Sequence, residues 1–139
     1  MVDYRDDLAL DLDDVVDLYR ASTLGARRPI DDREIVRSMF EHANLIVSAW
    51  DGDRLVGVAR TMTDFLYVGY LADLVVRDTH QRQGIGIALI RETRERMGPR
   101  SALVLLSAPQ AVDYYPRIGF SPHDSAWVLR ASDPFPDRC

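Results

Sequence analysis

"DTHQRQGIGIAL", residues Asp78 to Leu89, decides how the rest of the chain is read. It is a polar loop carrying two glycines, Gly84 and Gly86, set between an apolar run and a helical pattern. The run before it, "YVGYLADLVV" (67–76), is nearly continuous in apolar residues and predicts a strand central in a sheet. From Gly84 onward Ile85, Ala88 and Leu89 share one helix face, while Arg91, Glu92, Arg94, Glu95 and Arg96 face water. A strand feeding a glycine loop that opens a helix is suited to an anion. The first-turn N–H groups lack partners, and the helix dipole is positive there. Glycine lets a phosphate oxygen approach the backbone, and Gln81, Arg82 and Gln83 add donors. The same glycines also suit a tight turn and close helix–sheet packing, so both readings stand. A dinucleotide fingerprint is excluded: position 89 is Leu where a third glycine is required.

Outward from this stretch the elements alternate. Leu12, Val15, Val16 and Tyr19 have helical spacing behind Asp11 as N-cap. A second helix is predicted over 32–42, with Asp31 and Glu34 as a capping box and Ile35, Met39 and Phe40 buried. "LIVSAW" (45–50) and "RLVGVARTMT" (54–63) read as a hairpin turning at Asp51-Gly52, and residues 3–9 hold a short strand. "MGPR" ends the helix that begins at Gly84, and "ALVLL" (102–106) is a buried strand. "APQAVDYYPRIGF" (108–120) is a short helix with Pro109 in its first turn, and "SAWVLR" (125–130) is a last strand. The expected architecture is one mixed α/β domain over 1–139, with 132–139 a loose tail.

Composition narrows the function. A net charge of −5 argues against nucleic acid and anionic membrane surfaces as partners, and no apolar run is long enough to span a membrane. All 17 basic residues are arginine, which excludes a Schiff-base lysine and a Walker-type phosphate loop. The single cysteine, Cys139, is poorly placed for catalysis and fits a reducing cytoplasm. His42, His80 and His123 have no metal-site spacing, so no metal is expected.

Residues 71–89 resemble the central motif of the GCN5-related N-acetyltransferases (GNAT). The family's Gln/Arg-x-x-Gly-x-Gly/Ala loop stands here as Gln81-Arg82-Gln83-Gly84-Ile85-Gly86. A second family signature, a tyrosine four residues before Gly-Phe, is matched by Tyr115 with Gly119-Phe120. The element order agrees across nearly the whole chain. A looser likeness connects "AWDGDRLVGVARTMTD" and "AVDYYPRIGF" to the plant plastid serotonin and lysine acetyltransferases. One departure is Arg77-Asp78, where many members carry proline; little consequence is expected.

The resemblance implies the GNAT fold: a mostly antiparallel sheet of six or seven strands with four helices, splayed between the fourth and fifth strands. It also implies acetyl-coenzyme A as donor. Its pyrophosphate would rest on Gln81, Arg82, Gln83, Gly84, Ile85, Gly86 and Ile87, and its pantetheine arm along Leu74, Val75 and Val76. A backbone N–H of that strand would hydrogen-bond the thioester carbonyl. Tyr115 would protonate the departing thiolate. Asp73 is the candidate base, weighed against a structural pairing with an arginine such as Arg60; Asp64 is the reserve. His80 reads as a solvated turn residue. Phe65, Tyr67 and Tyr70 are expected to line the acceptor pocket, and Arg27 and Arg28 are either surface residues or ligands for an acid group. The acceptor is expected to be a small arylalkylamine, with peptide lysine or an aminoglycoside as alternatives. A non-catalytic acyl-coenzyme A-binding module is the rival class, and pairing of two copies through the last strands is allowed.

Overall fold

The computed structural model describes residues 1–137; Cys139 lies outside them. The chain falls into two compact units, residues 1–106 and 107–139.

The first unit is a five-stranded sheet in the order β1 (Val2–Arg5), β2 (Leu45–Asp51), β3 (Arg54–Thr63), β4 (Val68–Val76) and β5 (Ala102–Val104). β1 to β4 pair antiparallel, and β5 joins β4 in parallel. The β2–β3 turn is Gly52-Asp53, one residue later than Asp51-Gly52, because Asp51 and Arg54 still pair.

α1 (Leu12–Arg20) starts at Asp11, whose side chain accepts the Asp13 N–H as expected of an N-cap. Its apolar face, Val15, Val16, Leu18 and Tyr19, forms a core with Leu55 and Val58 of β3 and Val75 of β4. α2 (Arg33–Glu41) is capped by Asp32, not Asp31: the Asp32 side chain accepts the Ile35 N–H. Val36, Met39 and Phe40 share the inward face at i, i+3 and i+4, so Val36 is inside while Ile35, beside that face, is 44% exposed. α3 (Ile85–Met97) buries Ile85, Leu89, Ile90, Thr93 and Met97. It lies on the opposite face of the sheet from α1, because Gly57, next to Val58, points at it. A Cβ on Gly57 would stand 3.0 Å from Leu89 Cδ1 and 3.2 Å from the Val75 carbonyl. Close packing of α3 on β3 therefore depends on glycine there.

β4 is not apolar on both faces. Leu71, Asp73, Val75 and Arg77 are buried and their neighbours only partly so. Arg77 is a brace: its guanidinium donates to the Leu55 carbonyl and to Asp17 at 2.9 Å, which gives this departure from the family pattern a structural consequence.

The second unit holds a 3-10 turn at Pro109–Ala111 and α4 (Tyr114–Arg117). The expected strand 125–130 does not form. A strand exists through its ladder, none of the described pairings includes these residues, and Trp127 is 91% exposed. Among the described residues the sheet thus has five strands rather than six or seven, with four α-helices as expected. β5 is short and half-exposed, not buried: Val104 is half-exposed and Leu106 lies beyond the strand.

Candidate functional site

The first feature is an open strand edge. β4 pairs with β5 only through Val68, Gly69 and Tyr70, so from Leu71 to Val76 the outer edge of β4 has left its neighbour. The Arg77 N–H donates to the Val56 carbonyl of β3 at 2.8 Å. Backbone polar groups alternate along a strand, so the amides of Val75 and Asp73 also turn toward β3, while those of Leu74 and Val76 turn to the open edge. Val75, expected against the ligand, has its side chain in the α1 core. Leu74 and Val76 are the edge residues.

The edge leads into the glycine loop. Gly84 is the N-cap of α3 in the left-handed conformation, φ 82°, with no side chain to occupy the first-turn amides of Ile85, Gly86 and Ile87. Arg82 also has a positive φ, 62°, a costly conformation for a residue with a Cβ. Gln83 between them has no positive φ, and backbone that alternates in hand in this way gathers N–H groups on one side as an anion-binding concavity. Nothing lies within 4 Å of where a Gly84 Cβ would be, so space is free at that point. Arg82 and Gln83 are exposed. Gln81 is engaged elsewhere. Its amide donates to the Val76 carbonyl and to Asp78 Oδ1, both at 3.2 Å, tying the loop to the end of β4. His80 is pinned by contacts to Asp51 Oδ2 (2.9 Å) and Thr79 Oγ1 (2.8 Å).

The second feature is a buried ionic cluster around Asp73, whose side chain has no exposed surface. Its Oδ2 accepts from the Tyr19 hydroxyl and from Arg60 Nε, each at 2.7 Å, and its Oδ1 accepts from Arg28 Nε at 2.7 Å. Arg60 also donates to the Met39 carbonyl and lies over the Phe40 ring. Burial pushes the Asp73 carboxyl up, but hydrogen bonding and charge from Arg60, with Tyr19 and Arg28, outweigh it and hold the group below its ordinary value. Burial, then the Asp73 charge, pushes the Tyr19 phenol well above its own, so it stays a donor. The geometry favours the structural reading of Asp73 over the base: a neutral-pH base needs a higher pKa and a free lone pair facing substrate. Arg28, expected at the surface or on a ligand, is an internal partner. Sequence reasoning names Arg60 as partner but misses Tyr19 and Arg28, which lie 54 and 45 residues away along the chain. Asp73 itself, a charge in an apolar strand, is the signal that partners must exist.

Asp64, the reserve base, caps the β3–β4 turn. Its Oδ1 accepts the N–H groups of Tyr67, Leu66 and Val68, and these hold its carboxyl below the ordinary value. Phe65 and Tyr67 lie in that exposed turn, Phe65 with φ 63°, and Tyr70 follows on β4. At about 3.3 Å per residue, Tyr70 is about 13 Å along β4 from Leu74, and Phe65 and Tyr67 lie before the strand begins.

In the second unit the tyrosine signature has a packing basis. The Tyr115 ring meets Phe120 edge-on at 5.4 Å and Tyr114 at 5.3 Å, and the Phe120 N–H donates to the Tyr115 carbonyl across Gly119, φ 104°. Tyr115 is the more buried of the two tyrosines, and burial, then its neighbour Tyr114, raises its pKa. Among the described residues no group of His, Cys, Asp and Glu could hold a metal, and no helix is long and apolar enough to cross a membrane.

Residues 24–130 match the family model of the acetyltransferase (GNAT) domain. A Streptococcus pneumoniae acetyltransferase of the GNAT family is 26% identical over 94% of this chain and 99% of its own, with a TM-score of 0.68. A Trypanosoma brucei acetyltransferase (21% identity, 94% and 99% coverage, TM-score 0.67) shares the fold. So does a meticillin-resistant Staphylococcus aureus protein described as a probable acetyltransferase (22%, 94% and 99%, TM-score 0.72). Comparison with curated proteins gives no match.

Proposed function

The chain belongs to the GNAT acetyltransferase family, and on that premise we propose that it transfers the acetyl group of acetyl-coenzyme A to a primary amine. The observation that carries the reading is the continuity of the open β4 edge with the glycine loop. An extended amide-bearing arm ending in a pyrophosphate has the shape and polarity of that path. The edge offers strand-like hydrogen bonds, and the loop offers amides of the α3 N-terminus. The free space over Gly84 fits a ligand that a Cβ would obstruct.

When bound, acetyl-coenzyme A supplies the activated acyl group. The Leu74 N–H, turned to the open edge, is the donor assigned to the thioester carbonyl; it stabilises the charge that develops there as the amine attacks. Holding amine and thioester together removes the need for a covalent enzyme intermediate. Tyr115 is assigned the proton that the departing sulfur takes up, which its raised pKa favours by keeping the phenol protonated.

The acceptor we favour is a small arylalkylamine; of Phe65, Tyr67 and Tyr70, only Tyr70 lies on β4 with Leu74. A second reading, a lysine on a peptide, draws on the exposed Phe65 and Tyr67, which suit a longer acceptor reaching the β3–β4 turn. The test is free coenzyme A release against a panel of arylalkylamines, polyamines, aminoglycosides and lysine peptides, with products identified by mass. Turnover with any amine supports the transferase. Tight binding of acetyl-coenzyme A with no turnover on any of them would indicate the non-catalytic module instead.

A further inference from the structure

We propose that Arg28 is a positioning residue for acetyl transfer, acting by clamping the bulge that opens the β4 edge. The proposal rests on the acetyltransferase reading but assigns a residue that the reading does not use. In the β3–β4 ladder Arg60 pairs with Asp73 and Thr61 with Leu71, so Ala72 is an extra residue on β4. A bulge of this kind leaves its extra residue outside the ladder, bends the strand and re-aims the residues beyond it. Here it falls where β4 leaves β5, and two residues before Leu74, whose N–H is the open donor.

The carbonyl of Ala72 has thereby lost its place in the sheet. Arg28 Nη2 donates to it at 2.9 Å, while Nε of the same guanidinium holds Asp73 Oδ1 at 2.7 Å. One planar fork therefore ties the bulged peptide to the next residue's side chain, and Tyr19 and Arg60 fix the far side of that carboxylate. Nη1 donates to the Arg27 carbonyl at 2.9 Å, which fixes the loop between α1 and α2 to the same point. The arrangement has an electrostatic consequence. A carbonyl left bare this close to Leu74 would add negative charge near the position where the reacting carbonyl gains it. Arg28 occupies the Ala72 oxygen, and Gln81 occupies the Val76 oxygen on the other side of Leu74. The carbonyls two residues before and two residues after Leu74 are thus each engaged by a side chain.

Geometry of this kind needs the fork and not the charge alone. Lysine at position 28 keeps an ion pair with Asp73 but offers one nitrogen in place of two fixed ones. Arg28→Lys should therefore fold and should lower kcat at least tenfold. KM for acetyl-coenzyme A should stay within about twofold, and the pH profile should keep its shape. Arg28→Gln should lower kcat further. Folded Arg28→Lys with kcat within twofold of wild type overturns the proposal, as does a loss confined to KM. Amide spectra of the ligand-free protein give a readout independent of activity. Resonances of residues 71–74 should shift in Arg28→Lys while those of α3 stay in place; unchanged resonances at 71–74 overturn the clamp. If wild-type protein turns over no amine, the acetyltransferase reading fails on its own, and the spectra still decide whether Arg28 shapes the edge.

Discussion

Replacing Asp73 with asparagine separates a structural carboxylate from a catalytic one. Asp73 accepts three hydrogen bonds, two from arginines. Asparagine keeps one acceptor oxygen and turns an NH2 group toward donors, so at least the Arg28 contact is lost even if that oxygen takes the place of Oδ2, and two guanidinium charges lose their counter-ion. A hydrogen bond to a charged group contributes about 1.5–3 kcal/mol, and removing one member of a buried ion pair costs about 3–5 kcal/mol. Arg28, with 25% of its side chain exposed, can turn to water and lessen the loss, whereas Arg60 at 10% cannot. Asp73→Asn is therefore expected to lose about 3–4 kcal/mol, a large part of a domain's total of about 5–15 kcal/mol. With a urea dependence of about 2 kcal/mol per molar, the unfolding midpoint should fall by about 1.5–2 M. Tyr19→Phe, which leaves both arginine contacts, should lose only about 1–2 kcal/mol.

The pH dependence has a definite sign. The folded carboxyl lies below its unfolded value, so its contribution is present above the unfolded carboxylate pKa, about 3.9. It is lost as pH falls through the lower folded value. Wild type and Asp73→Asn should therefore differ most near neutrality and converge in acid. Urea unfolding followed by circular dichroism at pH 7 and near pH 3 measures both effects. A variant with the wild-type midpoint at pH 7 and a lost acidic limb in kcat/KM would refute the argument and restore Asp73 as a base.

Gly84→Val should weaken acetyl-coenzyme A binding at least tenfold, about 1.4 kcal/mol, because the left-handed φ of 82° is hostile to a branched side chain and that side chain would fill the free space. Calorimetry on folded variant measures it, and unchanged affinity removes the phosphate reading of the loop. Tyr115→Phe should lower kcat by about 10²-fold with binding intact, while Tyr114→Phe stays near wild type; equal behaviour of the two removes the assignment. Gly57→Ala should cost about 1–3 kcal/mol in unfolding experiments, because its Cβ would press on Leu89 and the Val75 carbonyl across the α3 contact.

Local signals in the sequence are enough for the elements of the first unit. Arg54–Thr63 is legible to its observed ends because alternating β-branched residues come after a turn whose positive φ favours glycine. The start of α3 at Gly84 is legible from the same kind of punctuation. The failures are non-local. "SAWVLR" has the composition of a strand, but a strand also needs a partner, and composition does not supply one. The Ala72 bulge leaves no mark in a run that reads as uniformly apolar, since it is a property of register with β3. Arg28 cannot be told from a surface arginine, because what buries it is Asp73, 45 residues onward. The phosphate loop is legible as a motif of contiguous residues, whereas the residues that shape the β4 edge are scattered over α1, the loop after it and β3.

Placing Asp73 inside the ionic cluster also changes what should control the pH dependence of turnover. A carboxylate held by Arg60, Arg28 and Tyr19, and ionised far below neutrality, does not titrate between pH 6 and 8. An amine acceptor arrives mostly as its ammonium and attacks only as the free base. If the proton leaves to solvent before attack, the rising limb of kcat/KM belongs to the acceptor, and its midpoint moves with the acceptor's own pKa. Arylalkylamines matched in shape but differing by about two units in amine pKa should then show limbs displaced by about two pH units, each parallel to its own free-base fraction. A limb common to all of them near neutrality would mean instead that an enzyme group takes the proton, and Asp73→Asn would then report whether that group is Asp73.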